Sequence, residues 1–134
     1  MKRKLTFVLI VCMTTALIIT GCAAGAPIDS ADALEKAVGL SRIDIPELEK
    51  MLGGEMTLAV EGRDDNKLVY IHKYNANVGD VTSKATEIAE AIEEQREGYE
   101  GLVADLSARG VKNAAVVLEY WDADGTLIYS VTIS

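Results

Sequence analysis

The chain has one histidine, His72, two cysteines, Cys12 and Cys22, and 21 acidic side chains among its 134 residues. A single histidine excludes His-x-x-His and His-Glu-x-x-His spacings, and metal sites ordinarily need several convergent ligands. A general base also needs a substrate proton within reach, so His72 reads as a strand histidine, solvated or half-buried. Asp122-Ala123-Asp124-Gly125 looks like part of a calcium loop. With Gly125 at the loop's glycine position, however, Tyr120 and Val131 fall where ligands are required, and neither can serve. The segment therefore reads as a hairpin turn, as does Asp64-Asp65-Asn66. Some carboxylate pair will fall about 5–9 Å apart by chance, the spacing glycosidase chemistry uses, but a third of the acids belong to one helix, where a solvated outer face is the plainer reading. No Gly-x-Ser-x-Gly elbow, Ser-x-x-Lys or phosphate-cradling glycine loop occurs. No catalytic residue, metal or cofactor is expected.

The cysteines belong to a segment of another kind. Lys2, Arg3 and Lys4 precede an apolar run of 15 residues, Leu5 to Ile19. As a helix that run is about 22 Å long, short of a hydrocarbon core of about 30 Å, which suits a signal peptide better than a lasting membrane span. Ile19-Thr20-Gly21-Cys22 resembles the lipobox of bacterial lipoproteins: an aliphatic residue, two small residues and the cysteine that is lipidated. The resemblance implies a signal peptide over residues 1–21 and a diacylglyceryl thioether at Cys22; the residues that follow read as a linker to residue 29 and one domain over 30–134. An ordinary secretory peptide is the alternative. Two acyl chains make a stable anchor where one is marginal, and the mature chain is left with no free thiol and no disulfide.

Cleavage would remove three basic residues and leave 10 against 21 acidic, a formal net charge of −11. No basic stripe exists to displace counterions from phosphates, so no nucleic-acid partner is expected. Anionic lipid and wall polymers should likewise repel the domain. It is expected to be tethered to the extracytoplasmic face of a cell membrane, not adsorbed on it. The seven-residue linker after Cys22 reaches at most about 25 Å.

What remains must position any site. Ser30 to Val38, ahead of Gly39, reads as a short helix, and Pro46 to Leu52, ahead of Gly53-Gly54, as a second. Met56 to Glu61 alternates as a strand, and Lys67 to Tyr74 completes a hairpin. Val81, Ala85, Ile88, Ile92, Gln95, Tyr99, Leu102 and Leu106 make one helical stripe ending at Gly110, with Asp80, Thr82 or Ser83 able to cap its start. Gly98 and Gly101 weaken its interior and suggest a kink or break near Gly98. The stripe could seam a dimer, but the sheet also needs a cover, so it reads as intrachain core. Ala114 to Trp121 and Thr126 to Ile133 form a second hairpin around Asp124-Gly125. The expected fold is α+β: two β-hairpins joined in a four-stranded antiparallel sheet, packed on one face by one long helix, with short N-terminal helices at an edge or end.

A sheet covered on one face has a second. If Val69 and Ile71 point inward, Tyr70, His72 and Tyr74 point outward together. If Val116, Leu118 and Tyr120 point inward, Glu119 and Trp121 join them. These five form the candidate binding face, because Tyr and Trp are common interface anchors. The opposite parity, with Leu68, Tyr70 and Tyr74 in the core, is the plainer alternative, since one slip flips every side chain.

Leu68-Val69-Tyr70 and the run from Tyr120 to Ser130 (YWDADGTLIYS) resemble a family of small Gram-positive lipoproteins catalogued as domain of unknown function 4854. The resemblance implies a lipid-anchored extracytoplasmic domain and assigns no activity. The expected function is a non-catalytic binding or accessory module for a protein, peptide or envelope component, with a membrane or envelope protein as a possible partner. The alternative is a cell-surface hydrolase or metal-dependent enzyme using surface carboxylates, and a sheet edge that pairs with a partner strand is a third option.

Overall fold

The computed structural model describes residues 29–63 and 66–134. Cys22 and the lipobox lie outside the described residues, as do Asp64 and Asp65 of the first turn. The elements are α1 (Ser30–Arg42), α2 (Ile45–Met51), β1 (Met56–Arg63), β2 (Lys67–Tyr74), α3 (Val81–Glu94), α4 (Arg96–Ala108), β3 (Ala115–Trp121) and β4 (Leu127–Ile133). No described helix is long and apolar enough to cross a membrane.

Local chemistry accounts for most boundaries. Asp80 caps α3, its carboxylate accepting from the Ser83 N–H at 3.1 Å and from the Ser83 hydroxyl at 2.9 Å. Pro46 occupies the first turn of α2. The β3–β4 turn closes with the Asp122 N–H donating to the Thr126 carbonyl at 2.8 Å, and Gly125 there has φ +91°. Two boundaries differ from expectation: β1 runs two residues past Glu61 to Arg63, and α1 runs through Gly39 to Arg42. Its last turn is held by tertiary contacts, the buried Ser41 lying beside Tyr70 and Arg42 Nε donating to the Val60 carbonyl at 2.9 Å.

The four strands form one sheet in the order β1-β2-β3-β4. Both hairpins are antiparallel, pairing Met56 with Tyr74 and Val116 with Ile133. The central pair, β2 with β3, is parallel, so the sheet is mixed and not antiparallel throughout. The cause lies in the connection. The chain leaves β2 where the Val78 N–H bonds the Asp122 carboxylate at 3.1 Å, beside the end of β3. It re-enters the sheet at Lys112, whose N–H donates to Ser30 Oγ and whose carbonyl accepts from Asn66 Nδ2, beside the start of β2. One net traversal of the sheet returns the chain to the starting end, and β3 must then run parallel to β2.

The connecting helix is also two helices, not one. A strand of eight residues spans about 27 Å, whereas helices of 14 and 13 residues are about 21 and 20 Å long and would overshoot if collinear. The chain turns at Gln95 (φ −116°, ψ 16°), three residues before Gly98. The apolar stripe survives the break: Ile88, Ile92, Tyr99, Leu102 and Leu106 are all buried in one core.

All of the larger helices pack on a single sheet face, α1 over β1 and β2, α4 over β3, and α3 over β4. Leu68, Tyr70, Val116, Leu118 and Tyr120 point into that core with Leu34 and Val38 of α1. Close approach of α1 to β1 depends on Gly62, where an added Cβ would stand 3.1 Å from Leu34 Cδ2. Gly62→Val should therefore destabilise the domain by roughly 1–3 kcal/mol. Urea unfolding followed by circular dichroism checks this, and an unchanged midpoint would show that α1 is not fixed there.

Candidate functional site

The register divides the five residues of the candidate binding face between the two sides of the sheet. Tyr70, His72 and Tyr74 of β2 lie on the helix side, next to Leu118 and Tyr120 of β3. Glu119 and Trp121 lie on the side that no described helix covers. The sequence parity expected for β3 therefore holds, and β2 takes the alternative parity with Leu68, Tyr70 and Tyr74 inward. No single surface presents all five.

On the helix side, His72 is 2% exposed and its ring stacks on Tyr120 with centroids 4.3 Å apart and planes 4° from parallel. Its Nδ1–H donates to the Glu119 carbonyl at 3.1 Å, which fixes the neutral tautomer. Burial drives the imidazole pKa down to about 4, a shift the Glu119 carbonyl opposes only in part. Burial similarly raises the Tyr70 phenol to about 12, against the Ser41 hydroxyl that favours ionisation. Tyr74 is pushed up to about 12 by burial first, with Glu87, Glu55 and Asp122 adding to it. These side chains are held uncharged inside the core. A neutral imidazole without solvent access has no route to a substrate proton.

On the other side, Arg63 of β1 reaches over β2 to Glu119 of β3. Its Nη1 donates to Oε2 at 2.6 Å and its Nη2 to Oε1 at 3.1 Å, a bidentate pair. Glu61 accepts from Arg63 Nε at 2.8 Å, and the Trp121 indole N–H donates to Glu119 Oε1 at 3.2 Å. The Arg63 hydrogen bonds hold the Glu119 carboxyl below its ordinary range despite its burial, with Trp121 helping. Arg63 is raised in turn, by Glu119 first and Glu61 second. Beneath this array Val69 is 0% and Val117 6% exposed. A pair that joins β1 to β3 must cross the strand between them, so the ion pair roofs the sheet where no helix does. Arg63 was not among the expected site residues. Its only signal was membership of a strand whose alternation, Glu61 then Arg63, continues past the hydrophobic positions.

Residues 31–133 match a protein family described as domain of unknown function (DUF4854). The chain belongs to the DUF4854 family. No curated protein and no solved structure matches it. The resemblance seen at Tyr120 to Ser130 covers the β3–β4 hairpin, and in this DUF4854 domain that hairpin also anchors the entry to α3. Asp122, 4% exposed, accepts from the Val78 N–H at 3.1 Å and from the Ala123 N–H at 2.9 Å. Its carboxylate ties two loops together, which is a structural use of a residue that the calcium-loop pattern had drawn attention to.

Acid should expose the cost of burying His72. The unfolded imidazole titrates near 6.5 and the folded one near 4, so below about pH 6.5 the unfolded state binds the extra proton and stability falls as pH drops. Above that value the contribution is fully present. Wild-type protein should lose about 2–3 kcal/mol between pH 7 and pH 4.5 from this group. His72→Gln should flatten that part of the profile in urea titrations. Equal pH slopes for the two proteins would mean that His72 is not buried as a neutral ring.

Proposed function

We propose that this DUF4854 protein is a lipid-anchored extracytoplasmic binding module, attached through a diacylglyceryl thioether on Cys22, whose partner is a protein or peptide of the envelope. The observation that carries the reading is the second face of the sheet. Every large helix packs on the opposite side, yet this face is ordered. Trp121, Glu119 and Arg63 are locked together over the Val69 and Val117 floor. An aromatic side chain held by a charged network is pre-organised, which lowers the entropy lost on binding. A net negative domain should not adhere to an anionic membrane surface, so binding through a defined protein contact suits it better than adsorption. The burial of His72 counts against a site that would gather this histidine with carboxylates in an open cleft.

Two readouts test the proposal separately. Mass spectrometry of the membrane-extracted protein should find Cys22 as the N-terminal residue with a diacylglyceryl adduct, and Cys22→Ala should move the protein to the soluble fraction. Photo-crosslinking in intact cells should yield one reproducible envelope protein with the anchored form. The yield should fall at least several-fold with Trp121→Ala, a partly exposed position, compared at a temperature where circular dichroism shows both proteins folded. An unmodified Cys22 would remove the anchor. Crosslinking unchanged by Trp121→Ala would remove the face.

A further inference from the structure

The strand register puts Glu61, Arg63, Lys67, Lys73 and Glu119 on the side of the sheet that no described helix covers, with Thr57, Ile71 and Trp121 among them. Both carboxylates there are held by one guanidinium. Glu119 takes the bidentate pair from Arg63, and Glu61 accepts from the same Arg63 at 2.7 Å. The two lysines are not so engaged: among the described residues no carboxylate stands within ion-pair distance of Lys67 or Lys73. Lys73 is exposed and lies between Thr57 of β1 and Trp121 of β3 in the register. Lys67 is half-buried at the other end of β2, about 20 Å away along an extended strand. Along its open side β2 reads Lys67, Val69, Ile71, Lys73, a cation at each end of an apolar pair.

An arriving surface meets the charges that are not already paired, and here they are positive, although acids outnumber bases 21 to 13 in the chain. The exposed acids of α3 and α4 belong to the opposite side of the sheet. A helix is about 10 Å across, and salt screens charge over about 8 Å, so the lysines set the local field. That field selects by sign, since a basic partner would meet Lys73 beside Trp121 with no unpaired carboxylate to receive it. It also selects by extent. A long anionic polymer would run past the sheet into the acidic remainder of the domain, whereas a folded partner confines its carboxylates to the span between the lysines. We propose that the partner of the uncovered face is a protein presenting an acidic patch, its carboxylates meeting Lys73 and Lys67 around an uncharged centre that rests on Ile71 and Trp121. This deepens the reading of the domain as a binding module and rests on it.

Zero-length carbodiimide coupling in intact cells carrying the full-length lipoprotein tests this, because it joins a lysine amine only to a carboxylate in direct contact. Mass spectrometry should find isopeptide bonds from Lys73, Lys67 or both to Asp or Glu of one envelope protein. A photo-crosslinker at Thr57, exposed beside Lys73, should capture the same protein. Replacing both lysines by Glu should lower that capture at least tenfold and replacing both by Arg should keep it, with circular dichroism confirming that both variants are folded. Capture unchanged by the charge reversal overturns the proposal, as does a link from Glu61 to a partner lysine or an isopeptide bond to a second copy of this chain. In those cases a Thr57 capture that still falls with Trp121→Ala leaves the binding-module reading in place. No protein captured, a polymer adduct in its place, or capture indifferent to Trp121→Ala removes both.

Discussion

The central parallel pair, β2 with β3, has to be buried on both of its faces. Leu68 and Val69 are 0% exposed and Tyr70 5%, while Val116, Val117 and Leu118 are 0%, 6% and 0%. Consecutive residues point to opposite sides of a sheet, so each strand needs two covers. Helices α1, α3 and α4 supply one. On the other side the Arg63–Glu119 pair and Trp121 supply what a second layer of helices provides in larger parallel sheets. Half of a two-faced core is thus apolar side chains, and the other half is a hydrogen-bonded ion pair lying on two valines.

That arrangement makes the two faces chemically unlike. The helix layer is acidic on its outside, and just beneath it lie His72, Tyr70, Tyr74 and Tyr120, each held neutral by burial. The uncovered face mixes Arg63, Lys67 and Lys73 with Glu61 and Glu119. A net charge of −8 for the full chain therefore hides an uneven distribution. Partner contact at the uncovered face or beneath α3 would meet different fields, and salt dependence separates the two. The same desolvation that keeps the His72 ring neutral also removes it from solvent.

The elements were legible in the sequence because each had a local cause. The 4-3 spacing of Val81 to Leu106 marked the buried stripe, and Asp-Gly marked the β3–β4 turn. Parity was not legible, because Leu68-Val69-Tyr70-Ile71 and Ala115-Val116-Val117-Leu118 are apolar on both faces and alternation cannot choose between them. Those same continuous runs are the signature of a central strand covered on both sides, and they point to the parallel pair that a hairpin-by-hairpin reading passes over. The break at Gln95 was legible only approximately, from the glycines that weaken the helix interior near Gly98, three residues on. It follows from the length of sheet to be crossed, a tertiary quantity. The Arg63–Glu119 pair joins residues 56 positions apart, beyond any short-range pattern.

Strand direction also sets what the proposed tether can present. Ser30, Lys112 and Asn66 meet at one end of the sheet, where Val116 pairs with Ile133. Trp121 pairs with Leu127 at the opposite end, beside Asp122 and the entry to α3. A chain anchored at Cys22 enters the domain at the first of these ends. Its seven-residue linker extends about 25 Å at most, close to the length of the strands themselves. With the proposed anchor on Cys22, the end carrying the β1–β2 turn would be the attached end of the domain, and Trp121 with the exposed Leu127 would lie at the other.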